Sequence, residues 1–312
     1  MKKSILIALS ILALPVLSFA ETWSYDPDNP ENNTKDSEWR PSVTPLTIDV
    51  SEGTLTVTGI FENKGTDTTV VGSNTTSALS DYKFSCTGSY IQNHGVMTLV
   101  NANVNSGGLY NENTNSAFYV QGVSSVYNMQ TKNNAKIVIE DGAKLTSNNF
   151  EVYSNGTMVI ENAKANTFTQ SWEFKTQTNG LILANFSNDT LACVDKNSAV
   201  MNLNFAKTLN ADIALDFTDI VLDDETFIAG NTYKIALVYC KSNQYAAGQF
   251  DDSWKVLAEN VIESDVAKFA GFEKDNNFLY INIQAVAVPE PATFAAVFGA
   301  LAIAFAAYRR RK

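Results

Sequence analysis

The chain is poor in the residues that carry chemistry. It has one histidine, His94, and between its two ends one arginine, Arg40. A Ser-His-Asp arrangement would have to use His94, which sits in the turn-like "QNHGV", and there is no GxSxG nucleophile elbow. No P-loop or GxGxxG occurs, so nothing marks a nucleotide site. The nonapeptide of calcium β-rolls is missing, and "DPDNPENN" from Asp26 lacks the glycine of an EF-hand loop. The three cysteines, Cys86, Cys193 and Cys240, lie 107 and 47 residues apart and match no metal-ligand or CxxC spacing. They read as buried small apolar side chains, with at least one unpaired and a Cys193–Cys240 bridge left open.

Acidic residues are plentiful but badly arranged for catalysis. The clusters are Glu140-Asp141, Asp223-Asp224-Glu225 and Asp251-Asp252. Neighbours on a strand point to opposite faces, and neighbours in a turn point to solvent. They therefore read as solvated corners rather than the facing pair of a glycosidase. A calcium-assisted lyase would also need a basic proton acceptor, and Arg40 lies outside the repeated region. The expectation is a non-enzymatic protein with no catalytic, metal-binding or cofactor-binding residue and no cofactor.

Basic residues concentrate at the ends. The whole chain carries a formal net charge of -11. Without residues 1–20 and everything after Pro291, six basic residues and no acidic ones are lost, leaving 16 basic against 33 acidic, a net of -17. Such a surface repels nucleic acid and anionic lipid, which excludes both as partners of the body. Neutral glycans and cationic partners remain compatible with it.

The N-terminus has Lys2 and Lys3, an apolar run from Ile5 to Phe19, and small residues Ser18 and Ala20 at a signal-peptidase site. This predicts a signal peptide over residues 1–20, cut after Ala20. The run is shorter than the roughly 20 apolar residues of a spanning helix. Residues 21–45 are rich in Asp, Asn and Pro, with isolated Trp23, Tyr25 and Trp39, and read as an extended or loosely docked segment.

From Leu46 the pattern alternates apolar and polar. "TIDVSEGTLTVTG" is followed by "NHGVMTLVNANV", "NNAKIVIEDGAKL", "SNGTMVIENAKA", "TNGLILANFSN" and "NSAVMNLNFAK". Their starts, marked by Gly53, Gly95, Lys136, Gly156, Gly180 and Ala199, recur at about 20 residues or twice that, with weaker copies near Val70 and Phe118-Tyr119-Val120. One strand per unit of that length, with Asn and Gly at the junctions, predicts an all-β fold: a right-handed parallel β-helix or β-solenoid over residues 46–210. Stacked Asn could add side-chain ladders. The alternative is a β-sandwich. Residues 211–287 read as a C-terminal β-rich cap with a helical stretch near Val261–Phe269, closed by a strand placing Leu279, Ile281 and Ile283 on one face.

The last segment, residues 288–312, is "VPEPATFAAVFGALAIAFAAYRRRK". Pro289 and Pro291 hold the chain extended around Glu290. Ala292 to Tyr308 is long enough for one short transmembrane helix. Arg309, Arg310, Arg311 and Lys312 form a basic stop-transfer tail that fixes the helix end in the cytoplasm and the body outside.

Together, Val288-Pro289-Glu290-Pro291, the apolar helix and the basic tail resemble the PEP-CTERM sorting signal of Gram-negative bacteria. The resemblance implies processing near Pro289-Glu290-Pro291 by an exosortase, after an inner-membrane intermediate. It also implies delivery to the cell surface or an extracellular polysaccharide matrix; a plain C-terminal anchor is the alternative. It assigns no activity to the body. Strings such as "NGTMVIENAKA" are similar to the repeats of autotransporter passengers and other β-helical surface proteins. The expected function is a structural or adhesive surface protein, with signal peptidase and exosortase as processing partners and surface glycans or exopolysaccharide as ligands. The alternative is a polysaccharide-binding or polysaccharide-cleaving β-helix, for which Tyr110, Tyr119, Tyr127, Tyr153 and Trp172 are the side chains to inspect.

Overall fold

Alternating Val, Ile and Thr with Asn or Gly breaks dictates short strands joined by tight corners. The computed structural model of the chain describes residues 21–41, 45–64, 68–72, 83–88, 90–177, 179–208, 211–243, 254–275, 277–287, 299–301 and 303. The fold is all-β, built on two long sheets of mainly parallel strands, compatible with the expected β-solenoid. Successive layers stack with partners 19 to 24 residues apart through the middle of the chain.

The smaller sheet is a column of matched residues. Leu46, Thr69, Met97, Phe118, Ile137, Met158, Ile182, Ile213 and Val256 lie in register across nine strands. Ile48, Val71, Leu99, Val120, Ile139, Ile160, Ala184 and Leu215 form the file beside it. All are buried, so no layer closes a core alone and each is sealed by its neighbours. The weaker units near Val70 and Phe118 are full members, as Thr68–Gly72 and Ala117–Gln121.

Each layer contributes a second strand to the larger sheet, where the sequence reading expected one strand per unit. Val123–Thr131, Lys144–Tyr153, Phe168–Gln177, Met201–Thr208 and Thr232–Asn243 pair in parallel. These strands carry Gln, Asn, Thr and Ser outward, which hides their periodicity in the sequence. Two markers consequently fall on the other sheet: Gly53 precedes Leu55–Val57 and Ala199 precedes Met201–Thr208, both strands of the larger sheet.

The corners use asparagine as expected. Asn133, Asn134, Asn155, Asn162, Asn166 and Asn179 take left-handed φ between 46° and 64°. At Gly156 an added Cβ would strike the Thr131 carbonyl, so the chain there needs glycine for close approach. Inside one corner runs a buried ladder: Asn63 Nδ2 donates to Asn93 Oδ1 at 2.7 Å, and Asn93 Nδ2 to Asn111 Oδ1 at 2.9 Å. Each amide also donates to a backbone carbonyl of the next layer, Val96, Ala117 or Lys136. The ladder therefore satisfies groups that water cannot reach.

Both ends are closed. The described part of the N-terminal segment, residues 21–41, is docked, not loose: Glu21–Ser24 pairs in parallel with Leu46–Asp49. Trp23 is buried, donates from Nε1 to Asn32 O at 2.8 Å, and meets Trp39 edge-on at 4.8 Å. Trp39 and Phe84 extend this cluster to Phe61, forming an aromatic lid over the first layers. Isolated aromatics carry no periodic signal, so their burial was invisible until the layers were stacked.

Parallel stacking continues past residue 210. Ala211–Asp219 and Trp254–Ile262 extend the smaller sheet, and Thr232–Asn243 the larger. Among the described residues only Ala267–Asp275 and Phe278–Ala285 run antiparallel, as a hairpin against Thr232–Asn243. The helix expected near Val261–Phe269 is instead the end of one strand, a bend and the start of another. A helix that short does not nucleate alone, whereas an open sheet edge offers ready partners. Leu279, Ile281 and Ile283 are buried on one face. The outermost strand carries Lys268, Lys274 and a register shift at Phe269/Gly271, which blunt it against further pairing.

Ser18, Ala20, Val288, Pro289, Glu290, Pro291, Arg309, Arg310, Arg311 and Lys312 lie outside the described residues, as does most of the expected span Ala292–Tyr308. Among the described residues no helix is long and apolar enough to cross a membrane.

Candidate functional site: an aromatic cleft on the outer face of the larger sheet

Among the long parallel strands of the larger sheet, the register shifts at one place. Ser147 pairs with Gln170 and Asn149 with Glu173, so Phe168–Gln177 holds one more residue here than Lys144–Tyr153. Against Met201–Thr208, Gln170 pairs with Leu203 and Phe174 with Ala206, again one residue in excess. The bulge is at Ser171-Trp172. A bulge leaves its extra residue unpaired and re-aims its side chain. Trp172 accordingly stands 65% exposed, the most exposed tryptophan or tyrosine among the described residues.

Buried polar groups hold the bulge open. Gln170 is 2% exposed; its Nε2 donates to Asn148 O at 2.9 Å and its Oε1 accepts from Phe205 N at 3.4 Å. Ser147 is 1% exposed and donates from Oγ to Asn149 O at 2.8 Å. These bonds replace ladder bonds that the extra residue removes, so the distortion is stabilised from inside. Phe150, Phe168 and Phe174 pack beneath, with ring centroids 4.7 to 5.9 Å apart.

Two shallow hollows flank the bulge. One, of about 260 Å3, is lined by Tyr110, Gln130, Glu151, Trp172, Glu173 and Lys175, among others. The other, of about 390 Å3, is lined by Asn103, Asn105, Ser125, Tyr127, Asn148 and Ser171, among others. Tyr127 is 53% exposed, and Asn148 lies between it and the bulge. Tyr127, Asn148 and Trp172 thus form a file across three strands.

The polar groups of the cleft are fixed in place. Gln130 Nε2 donates to Glu151 Oε2 at 2.7 Å, and Lys175 Nζ to Glu151 Oε1 at 2.9 Å. Lys175 also pairs with Glu173 at 3.3 Å. Burial weakens the Lys175 ammonium, but the two glutamates more than offset this and raise its pKa above the ordinary lysine value. Asn149 Nδ2 donates to Asn128 Oδ1 at 2.8 Å, and Asn128 Nδ2 to Gly107 O at 2.9 Å. An ammonium shared by two carboxylates, beside ordered amides, offers fixed donors and acceptors to hydroxyl groups.

Of the five aromatics selected from sequence, Tyr127 and Trp172 stand out from the surface. Tyr110, Tyr119 and Tyr153 are half-buried, each beneath a lysine: Lys132 over Tyr110 and Tyr153, Lys136 over Tyr119. Gln130, Asn149, Glu151, Glu173 and Lys175 escaped the sequence reading. Their only signal is parity, since each takes an outward position on a strand whose register was unknown.

The other sequence candidates lie elsewhere. His94 stands 3.7 Å from both Glu62 and Glu112, and Arg40 pairs with Glu62 and Glu38, so Glu62 links the two across one corner. Glu140 accepts from Gln121, and Asp141 pairs with Lys164. Asp223 caps its own turn, accepting from the amides of Glu225, Thr226 and Phe227, and Thr226 bonding holds its carboxyl well below the usual range. Asp251 and Asp252 lie outside the described residues. The three cysteines are buried and not bonded to one another, and burial pushes the Cys193 thiol up to about 12. Among the described residues no group of three or more His, Cys, Asp or Glu could hold a metal ion.

No family model, curated protein or solved structure matches the chain.

Proposed function

We propose that this is an exported, non-enzymatic structural or adhesive protein of the cell surface or extracellular matrix. Its body is a right-handed β-solenoid, the hand that parallel crossovers overwhelmingly take. The carrying observation is the continuous in-register column from Leu46 to Val256, closed by an aromatic lid at one end and a hairpin at the other. Such a body is stiff, soluble through its acidic and amide-rich exterior, and protected against end-to-end pairing. Signal peptidase would release it after Ala20, and an exosortase would process it near Pro289-Glu290-Pro291. It would pass through an inner-membrane intermediate to the outer envelope or matrix.

Intact mass of the protein recovered from its native host, in surface and medium fractions, tests this reading. The expected species lacks residues 1–20 and the segment after about Pro291. A surface species retaining Ala292–Lys312 would instead establish a plain membrane anchor and overturn the sorting signal. A second reading, polysaccharide binding, is favoured by the exposed Trp172 beside Glu151, Glu173 and Lys175, with the exposed Tyr127 lining the neighbouring hollow.

A further inference from the structure

We infer that the outer face of the larger sheet around the Ser171-Trp172 bulge is a binding site for a neutral, hydroxyl-rich polysaccharide, with Trp172 and Tyr127 as its stacking platforms. The inference rests on the second reading above and gives it a place and a ligand class.

Three independent features converge. First, Trp172 is exposed at a position the fold could have left regular. The bulge that ejects it is held by the buried side chains of Gln170 and Ser147, so its exposure is built into the core. Exposing an indole to water is unfavourable, and its flat electron-rich face is matched by the C–H face of a sugar ring.

Second, Tyr127 continues the same file. It lies two strands away, roughly 10 Å by the ordinary strand spacing. The line from Tyr127 to Trp172 runs across the strands, so a polymer lying on it would meet both rings and both hollows.

Third, the polar groups beside the Trp172 platform suit hydroxyls. Glu151, Glu173, Gln130 and Asn149 offer acceptors, and Lys175 and the amides offer donors, all fixed by mutual bonds. The charges decide the class. Two carboxylates share one ammonium, and the processed body carries -17, so an acidic polymer meets net repulsion while a neutral one does not.

The test is affinity electrophoresis of the full chain in native gels containing hydroxyethyl cellulose, dextran or alginate. The expected result is retardation by at least one neutral polymer and none by alginate. Trp172→Ala should weaken retardation at least tenfold and Tyr127→Ala several-fold. Trp172→Tyr should restore most of it. Phe272→Ala, an exposed aromatic on the terminal hairpin, should change nothing. Retention by alginate alone, absence of retardation by every polymer, or a Trp172→Ala variant that migrates as wild type would each overturn the site. Sedimentation of wild type and Trp172→Ala provides the remaining check: self-association lost in the variant would assign the bulge to a protein contact and overturn the inference. None of these results depends on terminal processing, so the mass measurement and the binding measurement fail separately.

Discussion

The two sheets of this protein obey the same stacking rule with different strictness. The smaller keeps one register from Leu46 to Ile182 without a shift, with apolar side chains in every layer except at Thr69. The larger sheet buries Ser147 and Gln170 in the middle of a file that otherwise reads Leu55, Phe84, Val104, Val126 and then Leu203. A polar residue in such a file costs stability unless it is bonded. Here both are bonded to backbone that the bulge frees. The difference teaches that the regular sheet supplies cohesion, and that the irregular one spends some of it to shape a surface.

The largest test of that contrast is at the aromatic stack under the bulge. Phe150→Ala removes a fully buried ring that touches Phe168 and Phe174. It should cost about 3–5 kcal/mol in urea unfolding. A loss no larger than that of a surface change would show that the two sheets do not share one core.

Gln170→Leu makes the larger sheet resemble the smaller. It leaves Asn148 O and Phe205 N without their side-chain partner, and should cost about 1–3 kcal/mol despite adding apolar volume. Hydrogen exchange should speed up at Phe205 first. Unchanged or increased stability would mean that the bulge needs no internal support.

A smaller effect is expected at the end of a central strand of the regular sheet, where Glu161 follows Thr157–Ile160. Burial, with Glu140 as the next cause, raises the Glu161 carboxyl above its ordinary value of 4.5. A raised carboxylate weakens the folded state while ionised. The penalty is therefore present at neutral pH and disappears as pH falls through the raised value to below the ordinary one. Glu161→Gln should be slightly more stable than wild type at pH 7 and equal to it at pH 3. A stability difference that does not change over that range would refute the assignment.

The smallest effect concerns Trp172 itself. Because the side chain stands in solvent, Trp172→Ala should change stability by less than about 0.5 kcal/mol in the same unfolding assay. A larger loss would make Trp172 a packing residue.

Much of the smaller sheet was legible. Gly95 and Gly156 each stand one residue before a strand of that sheet, Gly180 opens another, and the missing layers at Val70 and Phe118 could be interpolated from the doubled steps. The larger sheet was not, because outward Gln, Asn and Thr alternate with mixed inward residues and blur the period of two. The aromatics of the cleft could be nominated but not sorted. Tyr110 and Tyr127 look alike in sequence, yet only the stacking decides that one lies beneath Lys132 and the other in water.

The sequence by itself determined an all-β chain with asparagine and glycine corners and a repeat of about one layer, because strand alternation and left-handed corners are local properties. The terminal signals proposed for export would likewise be linear motifs. Only the tertiary structure decided which strands share a sheet, that Trp23 and Trp39 close the first layers, and that Ser171-Trp172 is a bulge. Those depend on register between layers about twenty residues apart, and register is a property of neighbours, which no single stretch of sequence contains.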